Sequence, residues 1–215
     1  MVARYAETPI TVDGRLDEAV WGKAVAYALH LDDTVDAAVQ EAGEARLAWD
    51  EENLYLGIRY TDSDVVAEGS EKNDLHFQMG DVAELFLKPL GNTVYWELYV
   101  TPHSKTSTFC FPSWSRNLPS TFVYEMDIAV AGSVQGTLND WSDRDTGWTG
   151  EMAIPIRELE KYGDTFASET WTVLVARYNY SRYLEGKGPE LTMTPRLPKT
   201  DYHHQPGYAL LVLEK

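Results

Sequence analysis

Glu84 and Glu97 stand inside two strongly apolar runs, "DVAELFL" and "YWELYV". Two carboxylates on neighbouring strands are the minimum equipment for acid–base attack on a glycosidic bond. They are equally suited to accept hydrogen bonds from a polyhydroxylated ligand. An unpaired buried carboxylate is costly, so each glutamate either faces solvent on an alternating strand or faces a ligand. Arg177 and Asn179 alternate in "VLVARYNYS" and leave their strand on one face. Arginine, asparagine and glutamate on one sheet face would make a polar floor for sugar hydroxyls, and the alternative is an Arg–Glu pair that satisfies itself. Asn179 also heads an "NYS" sequon, whose mid-strand position argues against a glycan.

The chain carries 7 Trp, 13 Tyr and 6 Phe, more flat apolar surface than its core requires. Aromatic faces stack on the C–H face of a pyranose as readily as they fill a core. Trp21, Trp49, Trp148 and Trp171 sit beside regular elements and read as structural. Phe77 in "LHFQMGD", Trp114 in "FPSWSRNLPS" and Tyr202 in "TDYHHQPG" fall in loops and are candidate platforms. His203 and His204 are adjacent and point opposite ways in an extended chain, so they do not share one metal. Met79, His76 and His204 leave open a haem-binding electron-transfer domain, through a Met/His or His/His axial pair.

"GTLNDWSDRDTGWTGEMAIPIREL" packs three aspartates and two tryptophans into a turn before an apolar strand. Asp140, Asp143 and Asp145 offer oxygen ligands to calcium, and solvated turn carboxylates are the simpler account. No EF-hand spacing, Walker loop, GxGxxG or GxSxG motif is present.

The residues that position these groups read as strands. "ARLAWD" and "LYLGIRYTD" form a hairpin across "DEEN", followed by strand-like runs at 81–89, 93–102, 105–113, 121–132, 150–156, 171–181, 190–195 and 208–214. Two short helices are expected: one over "LDEAVWGKAVAY" capped by Asp17, and one over "PIRELEKYG" between Pro155 and Gly163. Many short strands with little helix predict a single all-β domain over residues 1–215, an antiparallel β-sandwich of jelly-roll or immunoglobulin-like architecture. The irregular stretch from Leu184 to Gly207 is the longest loop and a natural carrier of binding residues.

A formal charge of −16 argues against nucleic acid as a partner. No uncharged apolar run is long enough to cross a bilayer, and "MVARYAETPITVDG" lacks the pattern of a signal peptide. The single cysteine, Cys110, alternates with Phe109 and Phe111 and reads as a small core residue.

Taken in order, "ITVDGRLDEAVWGKA", "ARLAWDEENLYLGIRYTDSDV", "DVAELFLKP", "YWELYVTP", "GTLNDWSDRDTGWTGEMAIPI" and "YHHQPGYALLVL" resemble the family 9 carbohydrate-binding modules, especially the single-domain family-9-like proteins. The resemblance implies an antiparallel β-sandwich and noncatalytic binding of a mono-, oligo- or polysaccharide. It also implies structural calcium and a terminal sugar held between two aromatic rings. Glu84 matches the glutamate of the family's D-x-x-E motif, whereas Glu97 stands where the family has an arginine. A tryptophan expected before Asp81 is replaced by the neighbourhood of Phe77 and Gln78. A second is replaced by Tyr202, His203 and His204, and His204 with Pro206 matches an H-x-P motif. Together with the loop aromatics and the polar strand face, the resemblance leads to ligand contact being expected at Phe77, Gln78, Glu84, Glu97, Trp114, Arg177, Asn179, Tyr202 and His204. It makes the aspartates of the acidic turn calcium candidates and argues against the hydrolase reading.

Overall fold

A computed structural model describes all 215 residues. Twelve strands form in chain order: Val2–Tyr5 (β1), Tyr27–Ala28 (β2), Gly43–Trp49 (β3), Asn53–Thr61 (β4), Val82–Pro89 (β5), Tyr95–Val100 (β6), Thr108–Phe111 (β7), Ala129–Gln135 (β8), Gly147–Pro155 (β9), Trp171–Asn179 (β10), Glu190–Thr194 (β11) and Ala209–Glu214 (β12). The β3–β4 hairpin forms because Asp50 turns the chain: its Oδ1 accepts the backbone N–H groups of Glu52 at 2.8 Å and Asn53 at 2.7 Å.

The sheet follows the path β7-β6-β5-β10-β12-β1-β3-β4-β9-β8, with β11 added beside β10 and β2 beside β3. It is mixed rather than wholly antiparallel, because β1 runs parallel to both β12 and β3. A four-residue strand with no hairpin to either neighbour is free to enter the seam in either direction, and period-2 patterning carries no information on that direction. The sheet curls so that its two arms share one core. Leu47, Leu56, Ile58, Trp148 and Met152 from one arm meet Leu85, Trp96, Leu98, Val173 and Val175 from the other.

The two helices are shorter than the patterns suggested. Ala19–Lys23 (α1) is preceded by Glu18, not Asp17, and the Glu18 carboxylate turns away to accept the Thr11 N–H at 2.9 Å. The helix lays Val20 and Trp21 on the outer face of β3, β4 and β9. Ile156–Leu159 (α2) starts directly after Pro155, and Gly163 closes the 3-10 turn that follows it, at φ 90°. The expected strand at 121–132 begins only at Ala129. The chain before it is held to β7 by a side chain, the Thr108 hydroxyl donating to the Tyr124 carbonyl at 2.7 Å.

Candidate functional site

Asp81 sets the strand that carries the site. Its carboxylate accepts the N–H groups of Val66 and Tyr180, both at 2.7 Å, and so ties the entry of β5 to the end of β10. From that start β5 alternates: Ala83, Leu85 and Leu87 enter the shared core, while Val82, Glu84 and Phe86 face outward. On β6 Trp96, Leu98 and Val100 point inward, and Tyr95, Glu97 and Tyr99 outward. The register pairs Glu84 with Tyr99 and Phe86 with Glu97, so the two glutamates are diagonal neighbours on one face.

That outer face is not solvated. After β11 the chain folds back over it, fixed by the Tyr202 hydroxyl, 3.3 Å from both the Arg177 and Thr192 carbonyls, and by the Tyr208 hydroxyl donating to the Tyr202 carbonyl at 2.6 Å. Asp32 anchors the same segment through the N–H and hydroxyl of Thr200, and the Thr200 and Thr34 hydroxyls hold the Asp32 carboxyl down at about 2.

Between the sheet and this flap lies a cavity of about 420 Å³. Phe77, Phe86, Phe109, Phe111, Tyr178 and Tyr202 line its walls, and Glu84, Glu97 and Tyr99 line its floor. Burial raises both glutamates. Glu84 is 2% exposed and is pushed well above the usual carboxylate range by burial and then by the charge of Glu97. Glu97 is pushed up to about 7 by burial, against the hydrogen bond it accepts from the Tyr99 hydroxyl. His203 also lines the cavity, with Nδ1 at 2.9 Å from the Tyr95 hydroxyl and Nε2 at 3.8 Å from Glu97, and burial lowers its pKa.

The structure brings Phe77, Glu84, Glu97 and Tyr202 together in this cavity and places the other candidates elsewhere. Gln78 follows Phe77 in a 3-10 turn but does not line the cavity. Trp114 is 55% exposed and sits edge-on to His204 outside it, with ring centroids 6.2 Å apart. His203, not His204, faces the site; of two adjacent residues only one can, and nothing in "YHHQP" states which. Arg177 and Asn179 lie on the opposite face of β10, because the residue paired with Glu84 is Ala176. Arg177 lies over the Tyr60 ring and donates to the Glu41 and Thr61 carbonyls at 2.9 and 2.8 Å and to Asp62 at 3.0 Å. Asn179 donates to Glu41 at 2.8 Å and is fully buried, which leaves no room for a glycan at the sequon. Phe86, Tyr99, Phe109, Phe111 and Tyr178 had been hidden among ordinary strand aromatics, and only parity with Glu84 and Glu97 could have marked them.

The acidic turn has a structural occupation. Asp145 accepts the N–H groups of Val65 and Thr137, both at 2.7 Å, and Gly136 packs where any Cβ would strike that carboxylate. Asp140 accepts the N–H and hydroxyl of Ser142 within its own turn. Asp143 uses its carbonyl to accept from Arg182 and Tyr183. No three His, Cys, Asp or Glu side chains converge there. None of Met79, His76 and His204 lines the cavity, and His76 packs instead against His103, with ring centroids 6.0 Å apart.

The model of the family described as carbohydrate family 9 binding domain-like matches residues 12–168. The chain belongs to this family. Among solved structures it is similar to one described as a candidate carbohydrate-binding protein from Bacteroides uniformis ATCC 8492, at 14% identity and a TM-score of 0.74, covering 100% of this chain and 98% of that one. A family 9 carbohydrate-binding module from Caldicellulosiruptor kristjanssonii in complex with cellotriose matches at 13% identity and a TM-score of 0.64, covering 100% of this chain and 93% of that one. The same organism's module in complex with glucose matches at 13% identity and a TM-score of 0.62, with coverage of 100% and 95%. At such identities the likeness is one of fold. No curated protein matches the sequence.

Proposed function

We propose that this domain binds carbohydrate without transforming it, in the cavity between the outer face of β5, β6 and β10 and the flap after β11. The observation that carries this reading is a cavity with aromatic walls over a polar floor, in a member of the family 9 binding domains. Its volume of about 420 Å³ is ample for a small ligand. Membership of that family, and the cellotriose and glucose bound by modules of the same fold, support a saccharide as the partner. In this reading the curled sheet is the family's β-sandwich, with the two arms as its layers.

The mechanism is recognition. Ring faces on the walls cover the C–H face of the sugar, and the floor carboxylates accept its hydroxyls, with Tyr99 fixing the orientation of Glu97. In this reading both glutamates, diagonal neighbours on one sheet face, accept hydroxyls and neither attacks a glycosidic bond.

Calorimetric and protein-detected NMR titrations with mono-, di- and oligosaccharides test the reading. Saturable binding is expected, weakened at least about tenfold in Tyr178→Ala through loss of a stacking wall. No turnover of chromogenic glycosides is expected from wild type or Glu84→Gln. Flat titrations across the panel with a folded protein would overturn the reading. Repeating the series with calcium and with chelator asks whether the family's structural cation has a place here. The geometry of Asp140, Asp143 and Asp145 predicts the same affinity and melting temperature in both.

A further inference from the structure

The buried acids of this protein are hydrogen-bonded from within, with one exception. Every other buried carboxylate accepts at least one hydrogen bond from the protein. Glu84 has no ion pair. The Tyr99 hydroxyl lies within reach of both acids but has one proton to give, and its geometry directs that proton to Glu97. The cavity that Glu84 faces is lined by two further acids, Glu97 and Asp201, and by no lysine or arginine. Its single basic group is His203.

We propose that the ligand of this cavity is a sugar bearing a protonated amine, a hexosamine-type residue whose ammonium group sits against Glu84 and Glu97 beneath the aromatic walls. The inference rests on the sugar reading above and names the substrate class of the same site. A neutral sugar hydroxyl can donate to a carboxylate but supplies no charge against which Glu84 and Glu97, both held toward the neutral form by burial, could ionise. An ammonium group brings three donors and the compensating charge, in charge-assisted bonds stronger than those from a hydroxyl. The walls favour the same ligand. Phe77, Phe86, Phe109, Phe111, Tyr178 and Tyr202 present ring faces and edges around the acids, and aromatic faces attract a desolvated cation. A uronic acid would meet three carboxylates with no cation to receive it, and N-acetylation would remove the charge that the floor is built to take. The whole-molecule charge of −16 draws cationic sugars toward the protein at low salt.

The pH dependence follows from the titratable groups that face the pair: Glu84 on β5, Tyr95, Glu97 and Tyr99 on β6, Tyr178 on β10, and Asp201, Tyr202, His203 and Tyr208 on the chain that folds over them. Between pH 5 and 7 the phenols stay neutral and His203, held low by burial, is losing whatever proton it carries. Glu97, pushed up to about 7, ionises across the same range. Amine binding therefore strengthens as pH rises toward 7 while the amine keeps its proton, and neutral-sugar binding lacks this increment.

The test is a set of titrations with glucosamine, glucose, N-acetylglucosamine, glucuronate and cyclohexylamine at pH 5, 6 and 7 in low salt. Glucosamine is expected to bind at least about tenfold more tightly than glucose or N-acetylglucosamine at pH 7. Its advantage should shrink toward pH 5, and glucuronate should not bind. In Glu84→Gln the glucosamine-to-glucose ratio should fall to within about threefold. Should that variant fail to fold, the wild-type pH series alone decides, since an advantage that does not change with pH overturns the proposal. Glucose binding as tightly as glucosamine would overturn it while leaving the sugar reading in place. Cyclohexylamine binding as tightly as glucosamine, or no sugar binding at all, would overturn both.

Discussion

Glu97 is held in its neutral form by burial, and the cost of ionising it is borne by the folded state alone. Its folded pKa of about 7 lies above the ordinary 4.5. Between those values the unfolded chain has released the proton and the native protein has not, so stability falls as pH rises from about 4.5 to 7 and levels off above. Glu97→Gln should lessen that slope, the remainder belonging to Asp62 at about 6 and Glu151 at about 7, and raise stability at pH 7 by on the order of 3 kcal/mol, read from urea unfolding at pH 5 and pH 8. A variant that keeps the whole wild-type slope would show that Glu97 has no part in it. At this scale the sequence was legible where one strand decides. Glu84 and Glu97 stand out because a charge inside an apolar run needs a reason, and Phe77 and Tyr202 because they are aromatics in loops. It was illegible where two strands must be compared. Arg177 and Asn179 share a face, but whether it is also Glu84's face depends on the register of β10 against β5, which pairs residues 92 apart, Ala176 with Glu84. Parity is equally unreadable in a loop, which is why the choice between His203 and His204 needed the fold.

At the level of elements, the reverse face of β10 does a different task from its cavity face. Arg177 is 1% exposed and reaches across the core to Asp62, at 3.0 Å, and to the Glu41 and Thr61 carbonyls, so it fastens the end of β4 to β10. Burial pushes the Asp62 carboxyl up to about 6 even with the guanidinium beside it, so Asp62 depends on that partner. Arg177→Met should destabilise the protein by about 3–5 kcal/mol, because it leaves a buried charge without compensation. Adding Asp62→Leu should recover part of that loss, and thermal unfolding of both variants measures the difference. If the double variant is no more stable than the single, the carbonyl contacts rather than the ion pair hold the junction. The β3–β4 hairpin was readable because Asp50 and Asn53 encode its turn locally. β1 and β2, at four and two residues, are too short to carry a periodic signal.

The family match at residues 12–168 ends before β10, yet β10 lies between β5 and β12 and gives Val173 and Val175 to the shared core. Residues 12–168 expressed alone should therefore lack a cooperative transition, while the full chain unfolds in one step because both arms are lined by the same core. Circular dichroism melts of the two chains decide this, and a cooperative melt of the shorter one would mean that the cavity half is an accessory. The seam between the arms has a mechanical meaning as well. β1 and β12 lie side by side and parallel, with Val2 opposite Val212 and Arg4 opposite Glu214. Tension applied through the leading end of β1 and the trailing end of β12 pulls the two strands in opposite directions along their length. Their hydrogen bonds then share the load in shear instead of opening one at a time. A domain tethered at both ends while it grips a ligand would resist being drawn apart at the joint that closes its fold.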